Sequence, residues 1–104
     1  MLTKEFEEIV KNRIKQMQAT FVNREGMYAN SEDRLKQFKM IAGLTGLSPA
    51  KVALVLVAKH FTALCLAVDH PNRLIDPELR NSLFTDIPNY SILIEALVAE
   101  GETF

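Results

Sequence analysis

The chain has 104 residues, with 12 Lys and Arg against 13 Asp and Glu and a formal net charge of −1. That balance excludes a general electrostatic grip on nucleic acid or on an anionic membrane, and the length provides for one domain with one core. With 48% hydrophobic residues, four Gly, four Pro and no Trp, the composition is that of a compact helical protein rather than a disordered one.

Met1 is followed by charged, amphipathic sequence without a basic n-region, which argues against a signal peptide and for a cytoplasmic protein. From Thr3 to about Arg24 the pattern predicts an amphipathic helix. Leu2, Phe6, Ile9, Val10, Ile14, Met17 and Phe21 share one sector at 100° per residue, and Glu7–Lys11 is a favourable i,i+4 pair. That sector reads as a core face. Asn23 to Asn30 breaks the period around Gly26 and reads as a loop. Ser31 is a candidate cap for a second helix, with Glu32 and Asp33 in its first turn and a narrow stripe of Leu35, Phe38, Ile41 and Ala42. Gly43 reads as its stop.

Ser48 and Pro49 supply a cap and a first-turn proline for a third helix that runs to Asp69. Between Ala50 and Val68 only Lys51, Lys59, His60 and Thr62 are polar, so this helix reads as buried, with the others packed around it. It has the length of a membrane span, but Lys59 and His60 at its midpoint argue for a soluble core helix. Cys65, the single cysteine, reads as a buried and inert thiol in a reducing compartment. HPNRLIDP (residues 70–77) reads as a loop, and Asp76-Pro77-Glu78 as another cap-plus-proline start. Leu79, Leu83, Ile87, Tyr90, Ile94 and Leu97 then stay in phase across Pro88, which predicts one kinked helix or two nearly coaxial ones. Residues 101–104 read as a frayed tail. The fold expected is an all-α antiparallel bundle of four to five helices around the central helix 48–69, in a single domain 1–104.

Two positions break the apolar pattern. His60 lies among Ala53, Leu56, Val57, Leu64 and Ala67, where it is either a hydrogen-bonded core residue or a ligand. Asp86 points along the stripe of the last helix unless that helix restarts at Ile87-Pro88, where Asp86 would be its N-cap. An inward carboxylate needs a cation, a metal or backbone donors, so Asp86 is expected within reach of Lys59 or His60. There is no Walker A motif, GxSxG, HExxH or CxxC.

The order and spacing of Tyr28-Ala29, Glu32-Asp33-Arg34-Leu35 with Phe38-Lys39, Leu47-Ser48-Pro49, Lys59-His60 and Asp86-Ile87 with Asn89-Tyr90 and Leu93 form a pattern over residues 24–100. It resembles a family of small all-helical phage and prophage proteins. That family looks like a relative of the MazG-type nucleoside triphosphate pyrophosphohydrolases and of domains associated with phage nucleotide modification. The resemblance implies magnesium held by Asp86, Asp33 and Glu32, and nucleotide contacts from Tyr28, Arg34, Lys59, His60, Asn89 and Tyr90. It also implies a homodimer or larger assembly. The sequence departs from the pattern at Ser82, where relatives carry a Glu, and it has Lys59 and His60 where a MazG enzyme brings acids. No catalytic residue is assigned.

Three functions follow: binding or hydrolysis of a nucleotide, a non-catalytic phage protein that binds or inhibits a host or defence component, or a structural helical oligomer. Assembly is expected through part of Val52, Val55 and Leu66, or through the stripe of the first helix.

Overall fold

The computed structural model describes residues 1–27 and 35–101, and the side chains of 1–21 and 35–101. Four α-helices follow in chain order: α1 (Thr3–Met27), α2 (Lys36–Thr45), α3 (Pro49–Asp69) and α4 (Pro77–Gly101). A short 3-10 helix, Pro71–Ile75, joins α3 to α4. It stands where a loop is expected, because His70 accepts the Arg73 amide and tightens the connection. The architecture is the all-α bundle expected, with α3 packed between α2 and α4.

Local chemistry sets the helix ends. At α3 the Ser48 hydroxyl accepts the Lys51 amide at 3.3 Å, and Pro49 fills the first turn, where no N–H is needed. At α4 the Asp76 carboxylate accepts the Glu78 amide at 3.0 Å. Helix α1 runs through Gly26 to Met27, further than the composition of 23–30 suggests. Helix α2 begins at Lys36, with Leu35 in the cap position; Ser31, the expected cap, lies outside the described residues. Its stop is Gly46 rather than Gly43. Gly46 has φ +75 and donates to the Ala42 carbonyl at 2.9 Å, the left-handed closure that glycine adopts without strain. Gly43 lies inside the helix.

Leu35 at the cap of α2, Phe38 of α2, Val52 and Ala53 of α3 and Leu97 of α4 form the core. Ala53 is fully covered, and its small side chain allows close approach of the neighbouring backbones. Val52, expected on an assembly surface, is buried within the chain at 2% exposure.

Two expectations about burial are corrected. Helix α3 is covered on one side only. Leu54, Val55, Phe61, Leu66 and Val68 are exposed, and so is Cys65, because α2 and α4 approach the sector of Val52, Ala53, Val57 and Ala67. An 18-residue window of α3 has mean hydropathy 1.8, long and apolar enough to cross a membrane by length and composition alone. Helix α1 packs on α4 and on no other described element, which leaves Leu2, Phe6, Ile9, Val10 and Ile14 of its stripe exposed.

Helix α4 is continuous across Pro88. Proline removes the bond to the Phe84 carbonyl, yet the apolar face holds its phase on both sides, from Leu83 to Leu97. One turn earlier, Arg13 of α1 donates to the Asn81 carbonyl at 3.0 Å and to the Thr85 hydroxyl at 2.7 Å. Its guanidinium carbon stands 5.8 Å from the centroid of the Phe84 ring. This clamp holds α1 against α4.

The two glycines of α2 provide a direct check. Gly46→Ala should destabilise by about 1 kcal/mol, the cost of a left-handed conformation for an L-residue. Gly43→Ala should stabilise by about 0.5–1 kcal/mol through helix propensity, since a Cβ there meets nothing within 4 Å. Urea denaturation of the two variants measures both signs.

Candidate functional site

Along α4, residues 82, 86, 89, 90 and 93 recur at steps of four, three, one and three, and so fall on one side of the helix. Three of these five, Ser82, Asp86 and Asn89, bring polar groups to a side that otherwise packs on α3 and the core. Because α4 does not restart at Pro88, Asp86 is no helix cap. Its side chain is only 17% exposed, and its Oδ2 lies 3.7 Å from Nδ1 of His60, itself 20% exposed. That distance is too long for a direct hydrogen bond and suits an ion pair whenever the imidazole carries a second proton. The Ser82 hydroxyl donates to the same carboxylate oxygen at 3.2 Å. Of the two groups expected opposite Asp86, His60 is the one that stands there; Lys59 is exposed. The helical phase explains this, since His60 shares the covered sector of Val57 and Ala67, whereas Lys59 is turned 100° away.

A row of rings crosses the three helices. Phe38 of α2 meets Tyr90 of α4 edge-on, with centroids 6.4 Å apart and planes at 79°. Tyr90 in turn lies 5.2 Å from the His60 ring at 42°. The core therefore continues directly into the site, and Tyr90 is held between an apolar ring and an imidazole.

Asn89 is 2% exposed, and both its amide nitrogen and its amide oxygen lack a hydrogen-bond partner. A buried, unpaired polar side chain costs about 1–3 kcal/mol, so an amide in this state demands a reason. The amide offers donors and an acceptor side by side, the arrangement that can read the hydrogen-bonding edge of a planar ligand.

Tyr28, Glu32, Asp33 and Arg34 lie outside the described residues. Among the described residues no group of three His, Cys, Asp or Glu side chains comes together, and Asp86 is the one expected metal ligand that can be placed. Asp86, His60 and Tyr90 are brought together between α3 and α4, with Asn89 buried one turn after Asp86 on α4, while Lys59 stands apart.

Sequence reasoning did not single out Arg13. A signal was present, because at 100° per residue Arg13 falls inside the apolar stripe of α1, between Ile9 and Met17. Besides clamping α4, Arg13 lines a groove of about 740 Å³ with Ile9, Val10 and Ile14 of α1 and Arg80, Asn81 and Phe84 of α4. Burial, and then the charge of Arg80, lower the pKa of the Arg13 guanidinium below its ordinary value. A second groove, about 420 Å³, lies between the start of α3 and the end of α4, beside the Lys39–Glu100 ion pair.

No protein-family model matches the chain, and neither the curated proteins nor the solved structures contain a significant match.

Replacing Asn89 with Leu removes an unpaired amide and leaves an apolar side chain of the same branched shape, somewhat larger in volume. Asn89→Leu should raise stability by about 1 kcal/mol or more. Chemical denaturation reads this directly, and a loss of stability would mean that the amide is satisfied in solution.

Proposed function

We propose that this chain is a small helical nucleotide-binding protein of MazG-like, phage-encoded type, acting in the cytoplasm. The observation that carries the reading is the unpartnered Asn89 amide, one turn along α4 from the Asp86 that faces His60. Stability is given up at Asn89 for an amide that a ligand or ordered water would complete. In this reading Tyr90 and His60 offer ring faces, Asn89 reads the edge of a base, and Asp86 takes a ribose hydroxyl or a metal-bound phosphate.

The described part of the site offers one carboxylate, and Ser82 already donates to it. That suits magnesium arriving as the counter-ion of a nucleotide's phosphates, with Asp86 giving an oxygen, rather than a resident metal centre. Magnesium would supply charge neutralisation of those phosphates. The proposal is binding, with hydrolysis left to a carboxylate set that the described residues do not complete.

A second reading, a non-catalytic phage protein that binds or inhibits a host or defence component, is favoured by the exposed apolar side chains of α3. Leu54, Val55, Phe61 and Val68 would be its contact surface.

A thermal-shift series over nucleoside mono-, di- and triphosphates, with and without magnesium, separates the readings. A ligand at a hundredfold excess over its Kd stabilises by about 2.7 kcal/mol, a shift of several degrees for a domain of this size. At least one nucleotide should produce it, and Asp86→Asn and His60→Phe should each abolish it while remaining folded. A flat response to every nucleotide at millimolar concentration would leave the protein-binding reading in its place.

A further inference from the structure

Residues 1–12, which include the first ten of α1, are all exposed. Their apolar stripe, continued by Ile14, is open to solvent, with Leu2 at 71%, Phe6 at 59%, Ile9 at 51%, Val10 at 40% and Ile14 at 49% exposure. An isolated helix of this length is marginal in water, and a stripe with helical periodicity is the surface that a second helix covers.

The charges around the stripe say which helix. Arg13 and Arg80 line the adjoining groove without a carboxylate partner, since the described ion pairs are Lys39–Glu100 and His60–Asp86. Glu5 and Glu7 flank the stripe at its other end and likewise have no cation partner among the described residues, the Glu7–Lys11 pair expected from their spacing not being formed. The face is therefore acidic towards the start of α1 and basic towards the middle. A copy of itself laid antiparallel satisfies both ends at once. With the two-fold axis at Val10, Phe6 stands opposite the partner's Ile14, and Glu7 opposite the partner's Arg13. The partner's Phe6 side then enters the groove walled by Ile9, Ile14 and Phe84.

We infer that two copies of this chain associate through antiparallel pairing of their α1 helices about Val10, with acidic residues of each α1 meeting the Arg13–Arg80 groove of the other. Such an interface is isologous, as a closed two-fold dimer requires, and it relieves the mutual repulsion of the two arginines. The repulsion is the cost of leaving that groove without an anion.

The test uses the whole chain with Cys65→Ser as background. Light scattering at tens of micromolar should give the mass of a dimer. Val10→Cys should form an interchain disulfide under mild oxidation. Phe6→Cys alone should not, whereas Phe6→Cys with Ile14→Cys should. Glu7→Lys should weaken association roughly tenfold, the scale of one close interfacial charge pair, and Arg80→Glu added to it should restore part of the loss. Glu7 and Arg80 are both exposed, so folding of either variant is not at risk. A monomeric mass overturns the inference. So does efficient cross-linking of the unsubstituted chain through Cys65 with none through Val10→Cys, which would place the partner on α3.

Discussion

Proline at position 88 removes one backbone donor from α4, and a helix can either restart there or continue past the gap. Continuation keeps residues on both sides of the proline in one angular phase, so Asp86 and Tyr90 both reach His60 of α3 and Asn89 is buried between them in sequence. Restarting would have turned Asp86 into a cap pointing at backbone amides, and the site would not exist. What holds the phase is the apolar contact on either side of the gap, from Leu83 to Leu97, together with the Arg13 clamp on Asn81 and Thr85. Several buried side chains at about 1.5–3 kcal/mol each outweigh the roughly 3 kcal/mol that an interior proline costs.

The helices were legible because their signals are local. Ser48-Pro49 and Asp76-Pro77 mark their starts through single side-chain-to-amide bonds, and the apolar periods of α2 and α4 needed nothing from elsewhere in the chain. The inward turn of His60 and Asp86 was legible for the same reason, since phase along a helix is fixed by counting. The extent of cover was not. An apolar residue on α3 has the same pattern whether or not another helix lies against it, so Phe61, Cys65 and Val68 read as core and stand in the open. Gly43 and Gly46 could not be told apart by composition, because only the left-handed φ at Gly46 distinguishes a stop from an interior glycine. The missing partners of Asn89 depend on what the rest of the bundle places around it, which no period in α4 encodes.

Two kinds of incompleteness remain in the folded chain, and they differ chemically. The buried side of α4 carries the Asn89 amide without a partner, a lack that a small ligand with a hydrogen-bonding edge would fill. The outer faces of α1 and α3 have apolar groups without cover, which calls for protein surface. The two faces belong to different parts of the bundle, so a ligand site and an assembly surface can coexist without competing for residues.

The claim on which the functional account turns is that Asn89 completes its hydrogen bonds with a nucleotide. The side-chain amide signals of Asn89 and the ring signals of His60, followed by NMR during titration with the nucleotide that most raises the melting temperature, test it most directly. The account predicts that both move together and saturate at one affinity. Shifts confined to α1, or an unmoved Asn89 amide at saturation, would contradict it.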